Sequence, residues 1–103
     1  MTSRQMRSLF VKARRLAAGL ASRCDFAALD RIKKASANCG PNDSYVSIVY
    51  KDYIERAQII AAFTYGADLL GLSLSCNRLE DARMENGLSI VILNLSAPAT
   101  EGK

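Results

Sequence analysis

Leu88 to Leu95 reads L-S-I-V-I-L-N-L and is apolar on both of its alternating faces. A strand half-exposed to water alternates apolar with polar residues, whereas a strand covered on both sides does not. The run therefore predicts a central strand, and the rest of the chain must supply its neighbours. Two segments qualify. Tyr45 to Lys51 holds Tyr, Val, Ile, Val and Tyr within seven residues, a β-rich composition. Leu72, Leu74 and Cys76 alternate with Ser73 and Ser75, the pattern of a half-buried strand. Between them Asp52 and Glu55 form a D-x-x-E start signal, and a helix is expected from Tyr53 to about Leu70. Gly71 ends it.

A strand, a helix and a second strand make a crossover; the last two strands make a hairpin. Placing the last strand between the other two gives a split β-α-β sheet in the order first, third, second. The first and second strands become edges, and edges invite pairing with a second copy. A homodimer is therefore expected.

The N-terminal third is helical by the same arithmetic. Met6, Leu9, Phe10, Ala13, Leu16, Ala17 and Leu20 recur at helical spacing, which predicts a helix over 3–22 with one buried face. A second helix is expected over about 26–38, capped by Ser22 or Asp25 and closed by Gly40 and Pro41. Its apolar positions are Phe26, Leu29, Ile32, Ala35 and Cys39. The expected fold class is α+β: an N-terminal helical hairpin (1–39), then a three-stranded split β-α-β-β sheet with a crossover helix (45–95). The hairpin is expected to cover the sheet's other face or stand beside it. Residues 1–95 read as one domain and 96–103 as a flexible tail.

Charge divides along the same boundary. Residues 1–34 carry nine bases and two acids, net +7; residues 35–103 carry five bases and eight acids, net −3. The first acid is Asp25. An Arg-rich, acid-free, amphipathic start also describes a mitochondrial presequence; the segment is expected to be part of the fold. A basic helix face is the electrostatic footprint of an anionic partner. Arg4, Arg7, Lys12, Arg14 and Arg15 carry it, with Arg31 and Lys34 as an extension.

Chemistry is thinly represented. The chain has no His and three Cys (Cys24, Cys39, Cys76) without a C-x-x-C pair, so neither a Cys/His metal site nor a cofactor is expected. Neither a phosphate-loop pattern nor GxGxxG occurs. Cys24 beside Arg23, and the carboxylates Glu80, Asp81 and Glu85, are the remaining candidates for chemistry. A thiol next to one base and acids on a polar loop are more often inert and solvated. No enzyme activity is expected. No apolar stretch reaches the ~20 residues of a membrane span, and unpaired cysteines suit a reducing compartment, so a cytoplasmic protein without membrane contact is expected.

The run Ala67 to Ser75 partly fits the turn of a helix-turn-helix, with 75–86 as recognition helix. Gly66 stands where that turn needs an apolar residue, and Glu80, Asp81 and Glu85 make a poor surface for phosphate. A helix end at Gly71 followed by a strand is the favoured alternative.

The expected function is that of a small, non-enzymatic regulatory protein whose cationic helix face engages nucleic acid or an acidic protein surface. The alternative is a protein–protein inhibitor or adaptor, of the kind that viruses and mobile elements use. It would act through Tyr45 and Tyr50 or through the acidic 77–87 loop with Glu80, Asp81 and Glu85.

Overall fold

The computed structural model describes residues 1–76 and 81–98. Helix α1 spans Ser3–Arg23, a short α2 spans Leu29–Lys33, and strands β1 (Ser36–Cys39) and β2 (Asp43–Tyr50) follow. Helix α3 is Tyr53–Leu69. Strands β3 (Ser73–Cys76), β4 (Ala82–Arg83) and β5 (Ser89–Ser96) complete the described elements.

The sheet is open and antiparallel, in the order β1-β2-β5-β3. β5 lies between β2, which it pairs from Asp43↔Ser96 to Tyr50↔Ser89, and β3, paired from Ser73↔Ser96 to Cys76↔Leu93. β4 rejoins the same edge of β5 through Ala82↔Ile90. β2 and β3 both run antiparallel to β5, hence parallel to each other, and α3 makes the crossover between them.

Several expectations need correction. The sheet has five strands among the described residues, not three. The second helix is Leu29–Lys33 rather than 26–38, and Ser36–Cys39 is a strand. The cause is the turn at Gly40–Asn42. The Gly40 amide donates to the Asp43 carbonyl at 2.8 Å, and the turn folds Ser36–Cys39 onto the free edge of β2. Ladder bonds there satisfy backbone groups that a longer helix would otherwise have paired. Neither expected cap closes α2: Ala28 occupies its N-cap without a side-chain bond, and Asp25 takes a left-handed turn conformation at φ 57°. The helix-turn-helix alternative is also excluded, since 73–76 and 82–83 are strands. At the start of the expected tail Ser96 ends β5 and the Ala97 amide donates to the Asn42 carbonyl at 2.8 Å; residues 99–103 lie outside the described residues.

The helices do not divide between the two sheet faces. Val46 and Ile48 of β2, and Val91, Leu93 and Leu95 of β5, are buried in one core with Met6, Phe10, Ala13 and Ala17 of α1 and Ile59, Ala62 and Phe63 of α3. α1 and α3 thus lie side by side on the same face. The facing α1 stripe is mostly alanine, and Gly66 of α3 sits against the Ala13 backbone, so the helices approach closely. The α3 start forms as its signal predicts: Asp52 caps the Glu55 amide at 2.9 Å. The Glu55 carboxylate reaches back one residue further than expected, to the Lys51 amide at 2.8 Å. No helix among the described residues is long and apolar enough to cross a membrane.

Candidate functional site

α1 is acid-free over its 21 residues. Its N-terminus is closed by Thr2 and Gln5, each side chain accepting from the other's backbone amide, so no carboxylate is used as a cap. Because the alanine-rich stripe is buried, the opposite arc must carry the bases. Their surroundings separate the seven predicted residues into two groups.

Four have partners within the fold. Arg7 donates to the Ala37 carbonyl at 3.0 Å and Arg14 to the Ala35 carbonyl at 2.8 Å. The Arg14 guanidinium also lies 5.0 Å from the centre of the Phe10 ring, within cation–π range. These two side chains staple α1 to the segment that enters β1. Arg31 pairs with Glu55 at 3.3 Å, and the Glu55 side chain is only 6% exposed. Lys34 pairs with Asp30 one turn back at 3.1 Å; both ends are in water, so that pair contributes little.

Arg4, Lys12 and Arg15 are exposed and have no hydrogen-bond or ion-pair partner among the described residues. Lys33 joins them. With Arg15, Val11 and Ala18 it lines a shallow cleft of about 210 Å³ between α1 and α2. Lys33 was missed as a site residue because a 26–38 helix places the site bases on Arg31 and Lys34. The five-residue α2 offers no long wheel from which to read a face.

The residues of the alternative surface fall in three separate places. Tyr45 is 44% exposed, on the sheet face away from the helices. Glu85 is exposed in the turn before β5. Glu80 lies outside the described residues. Tyr50 and Asp81 belong to a half-buried cluster instead. Tyr50 is buried at the end of β2, and its hydroxyl donates to Asp81. Arg56, in the first turn of α3, clamps the same carboxylate with Nε at 2.6 Å and Nη2 at 3.4 Å. Its Nη2 also lies 3.5 Å from the Cys76 sulfur. The Asp81 side chain is 7% exposed, which leaves it little surface to offer a partner.

The electrostatics of this cluster are those of a structural clamp. Burial, then the hydrogen bond to Asp81, pushes the Tyr50 phenol above its ordinary value. The hydrogen bond to Asp81 likewise raises Arg56 and keeps it charged. One cation and one anion neutralise each other, and the phenol stays protonated. The arrangement ties the end of β2 to the start of α3 and to the chain entering β4.

No group of three or more Cys, Asp or Glu side chains gathers to hold a metal among the described residues. Cys24, Cys39 and Cys76 form no disulfide. Comparison with protein families, with curated proteins and with solved structures finds no match for this chain.

Proposed function

We propose that this chain is a small, non-enzymatic binding protein whose outward α1 face docks on the phosphate backbone of nucleic acid. The observation that carries the reading is the acid-free α1 with Arg4, Lys12 and Arg15 exposed and unengaged. Lys33 adds a fourth base beside Arg15. Arg4 and Arg15 are separated by about 17 Å along the helix axis, a reach that spans several phosphates of one strand. Such contacts position without reading sequence, so low sequence preference is expected. An acidic protein surface would satisfy the same charges, but a regular line of phosphates matches a straight, uniformly cationic helix better.

The inhibitor reading finds less support. Of its residues, Tyr50 and Asp81 are committed to the Arg56 cluster, while Tyr45 and Glu85 are exposed but lie in separate places. The cytoplasm is the proposed location, since exposed Cys24 and Cys76 are best kept reduced there.

The test is fluorescence anisotropy with labelled duplex and single strands of mixed sequence, over a range of salt concentrations. Three to four phosphate contacts give a log–log salt slope of about −3 to −4 on duplex. Arg4→Gln, Lys12→Gln and Arg15→Gln together should weaken binding at least about tenfold and bring the slope toward −1. Absence of binding at low salt, or affinity indifferent to salt, overturns the proposal.

A further inference from the structure

β5 is apolar on both faces, yet the helices cover only one. Val91, Leu93 and Leu95 enter the core, while Ile90 and Ile92 point to the other side and are only half-buried. They flank Val49 and Ser47 of β2 through the pairs Val49↔Ile90 and Ser47↔Ile92. The two-sided apolar pattern of the strand is thus unmet among the described residues.

The composition of this open face narrows what can cover it. In a chain with 23% charged residues, the outward strand positions among the described residues hold Ser, Asn, Tyr, Ala, Val and Ile. Their one charge is Asp43, at the end of β2. Low charge at the centre of a patch and the retention of Tyr are two marks of an interface core. The two bases at its border, Arg31 and Lys34, are paired with Glu55 and Asp30, so a polyanion or a charged headgroup layer finds little there to bind. A second uncharged surface of similar extent fits the face better.

Its relief is also self-complementary. Tyr45 projects from one end of β2. At the other end Val49, Ile90, Met84 and Leu88 floor a cup of about 350 Å³, with Arg31 and Lys34 on its rim. Tyr45 and Val49 stand two residues either side of Ser47 on the same face. A two-fold axis crossing β2 at Ser47 therefore brings Tyr45 of each copy over the cup of the other. A closed, isologous contact of this kind uses the same patch on both chains.

The available area sets the strength of such a contact. β2 and β5 have eight residues each and the flanking strands only two to four, giving a footprint of about 400 Å² per copy and about 800 Å² for the pair. A contact of this size is weak and reversible.

We propose that the open sheet face, centred on Ser47 and Ile92, is the interface of a two-fold homodimer in which Tyr45 of each chain fills the other's Val49–Ile90 cup. The sheets pack face to face, and the helices stay outside. The two α1 faces then point away from each other, so the dimer carries two separated cationic surfaces. This contact is independent of the strand edges and does not rest on the nucleic-acid reading.

Sedimentation velocity of the full chain in reductant, from about 5 to about 200 µM, tests it, because a small, reversible contact dissociates on dilution. A monomer–dimer equilibrium is expected. Ile92→Lys and, separately, Tyr45→Lys should raise the dissociation constant at least about tenfold by burying a charge at the contact. Circular dichroism and thermal melting verify that each variant is folded. If Ile92→Lys does not fold, Tyr45→Lys carries the test alone, since that side chain is exposed in the monomer. A chain monomeric throughout the range, or a dimer unchanged by a folded Tyr45→Lys, overturns the proposal.

Discussion

A Cβ atom added to Gly66 would lie 2.6 Å from the carbonyl oxygen of Ala13. The backbones of α3 and α1 meet at this point with no room for a methyl group. The obstacle is a main-chain oxygen in the middle of a 21-residue helix, not a side chain that can rotate away.

Gly66→Ala is therefore expected to destabilise the protein. Elsewhere in a helix the change gains up to about 1 kcal/mol from propensity. Here separating the helices costs more, with a net loss of about 1–3 kcal/mol as for other overpacked cores. Thermal melting should show a fall of several degrees for a domain of this size. An unchanged or raised melting temperature would show that α1 shifts freely against α3.

Asp81 joins three elements through Arg56 and Tyr50. Asp81→Asn leaves the Arg56 guanidinium without its counter-charge in a site that is largely shielded from water. Breaking such a pair costs about 3–5 kcal/mol when it is fully buried; part exposure of Arg56 brings the expected loss to about 2–3 kcal/mol. Urea denaturation should show a lower midpoint with little change in slope. A midpoint equal to that of the parent protein would mean that water replaces the pair at no cost.

Tyr50 gives this cluster an alkaline signature. Its phenol is held above the ordinary value of 10.0, mainly by burial. Above that ordinary value the unfolded chain loses the phenol proton while the folded chain keeps it. Stability that is fully present below the ordinary value is then lost as pH rises toward the raised one. Tyr50→Phe should flatten the loss of stability above about pH 10. Absorbance titration of phenolate should show one tyrosine fewer in the last, unfolding-linked step. Identical alkaline profiles for the two proteins would count against the assignment.

Arg14 and Arg15 are neighbours with different roles. Arg14 holds the Ala35 carbonyl and covers Phe10, whereas Arg15 stands in solvent. Arg14→Gln should lower stability by about 1–2 kcal/mol, through the lost hydrogen bond and ring contact. Arg15→Gln should stay within about 0.5 kcal/mol of the parent. Chemical denaturation of the two variants side by side distinguishes them, and equal effects would refute the division of the basic face.

Much of the fold is legible because it rests on local rules. The α1 stripe, Asp52 as a cap and the apolar run of β5 each depend on residues within a few positions of one another. The position of β5 between β2 and β3 follows from that run, since both of its edges need partners. Ser36–Cys39 shows where local reading stops. Ala35 and Cys39 suit a helix face as well as a strand, and the deciding partners are Val46 and its neighbours across the Gly40–Asn42 turn. The same holds for the candidate site. Seven bases look equivalent in the sequence, and only contacts across 20 to 40 positions show that Arg7, Arg14 and Arg31 are occupied.

The sequence by itself determined the periodicities, the helix start at Asp52 and the concentration of positive charge in the first 34 residues. These are properties of neighbouring side chains. The tertiary structure decided that both long helices share one face of the sheet and that Asp81 closes on Arg56 and Tyr50. It also decided that Arg4, Lys12, Arg15 and Lys33 stay exposed while Arg7, Arg14 and Arg31 are engaged. Those outcomes depend on groups 20 or more residues apart, whose proximity is set by burying the core as a whole.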